Sequence, residues 1–347
     1  MAASRPTARD DGEAYATLVA GDGPHACLAA VLGHVLRRLD PGRPRAALVI
    51  NASLETRRLL TAERLWDVHN HKTTLVHNPQ SFLRVPLRID LTRTWGFPQT
   101  LALQPELWAL PFRRVVYFDA DHVPTADSDS RRLRGLWRLL ESATLAALPE
   151  HGNGCFNSGM MLLRPGEAMH TYMRSEWRRL AHNQSHPDSE LMKLRKRCPS
   201  GWNGEQPMLN HAFARSWTAL NDSNWRCIYV PKDTSEQCHT LRVASAPAFA
   251  QMGDSVHYFY GMRPWAPRGS DPDACALYGL CEGSYPDLCG AVMTAAAAAW
   301  WRHFVQLPTF VRATCRERFQ RLHSSMKSAG TASRRPAAAG PVFGGSP

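Results

Sequence analysis

The chain has 347 residues, 44% of them hydrophobic and 20% charged, a mixture that can bury a sizeable core and excludes disorder as its general state. Its net charge of +11 is almost all arginine, since lysine occurs only at Lys72, Lys193, Lys196, Lys232 and Lys327; guanidinium forks suit phosphates, yet no basic stripe interleaved with aromatics points to nucleic acid. The longest apolar run, residues 289–301, stops at Arg302 and His303, short of the roughly 20 residues that span a bilayer.

In chain order, residues 1–13 are polar and read as an arm. Residues 15–20 read as a buried strand, closed by the turn signal Gly21-Asp22-Gly23-Pro24, and helical apolar spacing follows over 27–39. A second strand at 46–50, a helix over 54–68 and a short strand at 73–76 continue the alternation. This predicts an α/β fold with a mainly parallel sheet flanked by helices. A fourth strand at 115–118 ends abruptly in Asp119-Ala120-Asp121. Then come a helix at 133–140, a strand at 160–163, a helix at 167–180, a polar loop over 183–200, a short helix at 205–214, and strands at 227–230 and 256–260. Residues 14–268 read as a single large domain and 269–323 as a C-terminal helical appendage with a helix over 291–304. The tail 324–347 is too poor in apolar residues to order itself.

Nine cysteines include no C-x-x-C pair, which argues against a zinc ribbon or a thioredoxin-like motif. Cys275, Cys281 and Cys289 cluster and can pair in an oxidising lumen. The odd total of nine cysteines, and the absence of a secretory h-region from this sequence, predict reduced thiols and a cytoplasmic chain, with a Golgi lumen as the alternative.

Two carboxylates one residue apart at a strand end, Asp119 and Asp121, can face one divalent cation; hard oxygen ligands suit manganese or magnesium. Ligands bind beyond the carboxyl ends of strands in such sheets, so the position is apt. The same stretch satisfies haloacid-dehalogenase-type phosphatases, with Asp119 as nucleophile, although there the motif opens the domain and a downstream acidic pair follows. Cys155-Phe156-Asn157-Ser158-Gly159 runs into a strand, and an Asn amide beside a glycine lets the chain approach sugar hydroxyls closely; the plainer reading is a turn. Gly204-Glu205-Gln206 puts an acid and an amide at a helix start, where the plainer role is capping. His257 is followed six residues later by Arg263-Pro264-Trp265.

Taken in order, these segments resemble the glycogenin-like glycosyltransferases of family 8: a first strand with Thr-Leu and an Asp, then D-A-D, F-N-S-G, an acid-Gln before an apolar helix, and H-x(5)-[KR]-P-W. The resemblance covers residues 14–268 and implies a GT-A (Rossmann-like) fold, a nucleotide-sugar donor, usually a UDP-sugar, and transfer with retention of configuration. It implies manganese, or magnesium, held by Asp119, Asp121 and His257. Asn157, Ser158, Gly159 and Gly261 then face the donor, Thr17, Leu18 and Asp22 approach base and ribose, and Arg263 contacts the diphosphate. Glu205 is expected to orient the acceptor hydroxyl and Gln206 to position donor or acceptor, with Arg263 completing the catalytic set. The acceptor class, whether carbohydrate, lipid or protein, stays open, as does a homodimer.

Four departures from the pattern matter. Gly261 lies one residue later relative to His257 than in many members, Glu205 replaces Asp, and no tyrosine stands at 243–246 for self-glucosylation. Gln104, four residues before Trp108, stands where a lysine is usual, which raises the alternative of a non-catalytic nucleotide-sugar-binding protein.

Overall fold

The computed structural model describes residues 12–70, 104–125, 130–150, 154–182, 193, 206–221, 225, 227–229, 254–258 and 299–332. Its strands are β1 (Glu13–Ala20), β2 (Arg45–Ile50), β3 (Asp67–Asn70), β4 (Arg114–Phe118), β5 (His122–Pro124), β6 (Leu145–Pro149), β7 (Phe156–Leu163), β8 (Trp217–Ala219), β9 (Cys227–Tyr229) and β10 (Ser255–His257). The helices are α1 (His25–Leu39), α2 (Leu54–Thr61), α3 (Ser130–Leu139), α4 (Glu167–His182), α5 (Gln206–Ala212) and α6 (Thr309–Ala332), with a further helical stretch at 299–304.

Seven strands form one sheet in the order β3-β2-β1-β4-β7-β6-β8. Pairing is parallel throughout except at β7, which runs antiparallel between β4 and β6. Strands buried on both faces read as near-continuous apolar runs, and β1 shows why: Tyr15 and Val19 enter one core while Ala16 and Leu18 enter the other. The first core is filled from α1, α3 and α6, the second from α4, α5 and the 3-10 segment Gln104–Ala109. Helices therefore cover both faces of a single domain, as the sequence predicts.

β5, β10 and β9 form a separate three-stranded sheet. It stands at the end where β4 leaves the main sheet, because only Asp119, Ala120 and Asp121 separate β4 from β5.

The helix expected over 54–68 ends at Thr61. Glu63 and Arg64 take left-handed backbone angles, φ 44° and 58°, which non-glycine residues adopt at a cost. Val68 then pairs with Ala47 as part of β3. The strand expected at 73–76 lies outside the described residues. β7 begins at Phe156, so the Asn-Ser-Gly motif is part of a strand and not the turn before it.

The C-terminal segment packs with the sheet's helices. Trp300, Phe304, Leu307, Val311, Cys315 and Phe319 belong to the same core as α1, and α6 continues to Ala332, past Ser324 where composition predicts an unordered tail. The expectation of reduced thiols is corrected here: Cys27 on α1 and Cys315 on α6 form a disulfide across 288 residues, with Cα atoms 5.6 Å apart, and Cys155 is also disulfide-bonded. Nothing in the local sequence signals such a pair, because it exists only once α6 docks on α1. Among the described residues, no helix is long and apolar enough to cross a membrane.

Two predictions follow from this docking. The Cys27→Ala/Cys315→Ala variant should lose about 2–5 kcal/mol of stability in denaturant titration, whereas an unchanged midpoint would mean that packing alone holds α6. On the same helix as Cys27, His34 has its ring 6.3 Å from that of His303 and lies 3.2 Å from the Gln306 side chain. Burial, with His34, Arg38 and Arg302 nearby, pushes the His303 imidazole down to about 4, and burial lowers His34 as well. The unfolded chain therefore binds more protons than the folded one between pH 6.5 and 4, and stability falls as pH drops through that window. For His303 the loss amounts to roughly 3 kcal/mol, so His303→Phe should flatten the fall; an equally steep profile would refute the assignment.

Candidate functional site

The site begins where β4 ends. Phe118 is fully buried, and the chain then turns: the Asp119 amide donates to the Gly159 carbonyl at 2.8 Å and the His122 amide to the Asp119 carbonyl at 2.9 Å. β5 next pairs antiparallel with β10, with His122 opposite His257, Val123 opposite Val256 and Pro124 opposite Ser255. The Tyr258 amide donates to the Asp121 carbonyl at 2.9 Å, extending the clamp by one residue. These backbone bonds bring His257 to the two carboxylates. Ligand atoms of Asp119, Asp121 and His257 lie within 4.8 Å of one another, and His257 Nε2 is 3.5 Å from Asp121 Oδ1. Two carboxylate oxygens and one imidazole nitrogen on a shared focus suit a divalent cation and leave coordination positions for ligand oxygens.

Burial alone would depress the His257 imidazole, but the Asp121 hydrogen bond and charge, with Asp119 behind, hold it above its ordinary value. The same contact overcomes burial at Asp121 and lowers its carboxyl. Asp119 is steadied separately: the Tyr117 hydroxyl donates to Asp119 Oδ1, and Gln104 Nε2 donates to the Tyr117 hydroxyl at 3.4 Å. Gln104 is thus a buried, neutral support two bonds behind a candidate ligand.

The Asn-Ser-Gly segment contributes through its backbone. Asn157 Oδ1 accepts from the Gly159 amide at 2.8 Å. Gln206 Oε1 accepts from the Ser158 amide at 3.0 Å, and one turn later the Asn210 side chain bonds both the amide and the carbonyl of Phe156 at 2.8 Å. The α5 amides therefore lock the start of β7. Gln206 Nε2 also donates to the Glu150 carboxylate, at 3.2 and 3.3 Å. Sequence reading missed Glu150 because strand β6 before it is short and unmarked; an acid directly after an apolar strand, as at Asp119, was the available signal.

Thr17 and Leu18 are buried near the carboxyl end of β1, which pairs with β4 through Ala16 and Tyr117, placing them beside the strand that leads into Asp119. Asp22 is exposed, and its Oδ1 accepts from the Ser53 amide at 2.8 Å and the Thr56 hydroxyl at 2.6 Å, tying the turn after β1 to the start of α2. Glu205, Gly261 and Arg263 lie outside the described residues.

No protein-family profile matches the sequence, and no curated protein matches it. Among solved structures, the chain is similar to the galactosyltransferase LgtC in complex with donor and acceptor sugar analogues, at 14% identity, with 87% of this chain and 99% of that one covered and a TM-score of 0.52. An active-site mutant of LgtC gives 15% identity, the same coverages and a TM-score of 0.50. At these identities the likeness establishes the fold: the chain has the GT-A architecture of these glycosyltransferases.

Gly159 offers a test of the geometry. A Cβ there would sit 2.4 Å from His257 Cε1 and 2.9 Å from Asn157 Oδ1, and the buried His257 ring has little room to yield. Gly159→Ala should cost about 1–3 kcal/mol from overpacking and weaken Mn2+ binding at least tenfold in isothermal titration. Unaltered Mn2+ affinity in the folded variant would place the cation elsewhere.

Proposed function

We propose that the chain is a glycosyltransferase that moves a sugar from a nucleotide-sugar donor, a UDP-sugar, to an acceptor hydroxyl with retention of anomeric configuration. The observation that carries this reading is the convergence of Asp119, Asp121 and His257 at the carboxyl end of a strand in a GT-A sheet. The likeness to a galactosyltransferase solved with donor and acceptor sugar analogues supports it, as does the order of the motifs.

In this reading Asp119, Asp121 and His257 hold the cation. A divalent ion bound there supplies Lewis-acid neutralisation of the departing diphosphate. Arg263 adds a charge that persists at any working pH and a fork that reaches two phosphate oxygens. Asn157, Ser158, Gly159 and Gly261 lie along the donor sugar and diphosphate. Thr17 and Leu18 form the base side, and Asp22, with Oδ1 committed to Ser53 and Thr56, keeps the loop shape beside the ribose. Gln206 cannot rotate freely, since its carbonyl serves Ser158 and its amide nitrogen serves Glu150; it orients the Glu150 carboxylate, while Glu205 orients the acceptor. The acceptor oxygen bonds to the anomeric carbon on the face from which the diphosphate leaves, so preorganised positive charge is the main catalytic contribution.

The Cys27–Cys315 disulfide favours an oxidising lumen over the cytoplasm as the working compartment.

The purified chain should hydrolyse a UDP-sugar slowly in Mn2+ without acceptor. Asp121→Ala should lower that turnover at least 100-fold, about 2.7 kcal/mol, with an unchanged circular dichroism spectrum, because Asp121 sits in a turn outside the core. Phosphate release from simple phosphoesters in Mg2+, lost in Asp119→Asn, would instead mark a phosphatase. Tight donor binding with no turnover would mark a non-catalytic binder.

A further inference from the structure

One buried side chain at the site is used neither as a cation ligand nor in the transfer. His122 follows Asp121 directly and is fully buried. Being the cross-strand partner of His257, it stacks on that ring with centroids 4.9 Å apart and planes 23° from parallel. Its Nε2 lies 2.7 Å from Ser255 Oγ. Ser255 in turn accepts from Trp225 Nε1 at 2.9 Å, so the imidazole is pinned by a hydroxyl that a fully buried indole holds in place. Gly159 closes the ring edge of His257, as the clash of a built Cβ shows.

We propose that His122 is a positioning residue of the cation site: pinned by Ser255, it lies flat on His257 and fixes the plane in which that imidazole meets a divalent cation. A ligating nitrogen directs its lone pair in the ring plane, so free rotation about the last side-chain torsion would sweep it off the focus shared with Asp119 and Asp121. His122 removes that freedom, and its engagement with Ser255 keeps its own Nε2 from competing as a ligand. Support of this kind behind a metal-binding histidine is often a carboxylate or carbonyl bonded to the second ring nitrogen; here the support is a second ring set by strand register.

The inference rests on the cation site proposed above, and the test separates the two. Mn2+ affinity is read by electron paramagnetic resonance of free Mn2+ in titrations of the full chain, alongside melting temperature without metal. His122→Ala should weaken Mn2+ binding about 10- to 100-fold. His122→Phe, which keeps a flat ring but loses the bond to Ser255, should melt at a lower temperature and weaken Mn2+ only several-fold. Should His122→Ala fail to fold, Ser255→Ala takes its place and should weaken Mn2+ several-fold by releasing the pin. Variants that lose only melting temperature, or a Phe variant as weak as the Ala variant, overturn the positioning role. A wild-type chain that does not bind Mn2+ overturns the cation site and this role with it.

Discussion

The antiparallel pairing of β5 with β10 is the contact on which the site depends. It spans three residue pairs, extended by the bond from the Tyr258 amide to the Asp121 carbonyl, and it joins two segments more than a hundred residues apart. Backbone pairing of this kind fixes register, and a slip of one residue would turn every side chain to the opposite face. In the observed register His257, Ser255 and His122 share one face while Val256 and Val123 enter the core. One hydrogen-bonded ladder thus sets both the distance between histidine and carboxylates and the stacking behind them.

The rest of the fold holds that ladder still. β4 is central to the main sheet and buried on both sides, so the point at which the chain leaves it is fixed by two cores at once. Asp119 is tied on three sides, through its amide to Gly159, through its carbonyl to His122, and through its carboxylate to Tyr117. On the other flank, Gln206 and Asn210 bind the backbone of β7 and reach Glu150. A buried polar network of this density costs little only when its members find partners, and most of these do so through main-chain atoms, which ties their placement to the sheet.

The C-terminal segment extends the same logic through the core that it shares with β5 and β10. Trp300, Phe304 and Phe319 cluster by stacked and tilted ring contacts against α1, and the Cys27–Cys315 bond makes that docking covalent. α1 leaves β1 at the turn that holds Asp22, so α6 braces the element on which the proposed base side of the site rests. His34 and His303 give that brace a dependence on acidity that the site itself does not need.

The α/β class was legible in the sequence because both faces of β1, β2 and β4 are buried, which writes continuous apolar runs into the chain, and because helices with one buried face follow them. Asp119 and Asp121 were legible as candidate ligands because a hydrophobic strand stops at them, and His257 through the order of motifs. The short strands β5, β6 and β8 were not, since three to five residues carry little periodicity and these lack the β-branched and aromatic run that marks β4, and the same weak pattern hid Glu150. Helix and strand near Glu63 were confused because left-handed backbone at that position leaves no mark in residue type. Gln104 read as a missing charge; only the packed structure shows it supporting Tyr117 and Asp119. Likewise His122 is a polar residue after a motif until β10 lies beside it, and Cys27 and Cys315 are two cysteines among nine until α6 docks on α1. Local sequence determined which segments are strands and helices and where carboxylates meet a strand end, because those properties depend on neighbours a few residues away. Tertiary structure alone decided which distant groups meet, because strand register and helix docking are set by contacts between residues that the chain keeps far apart.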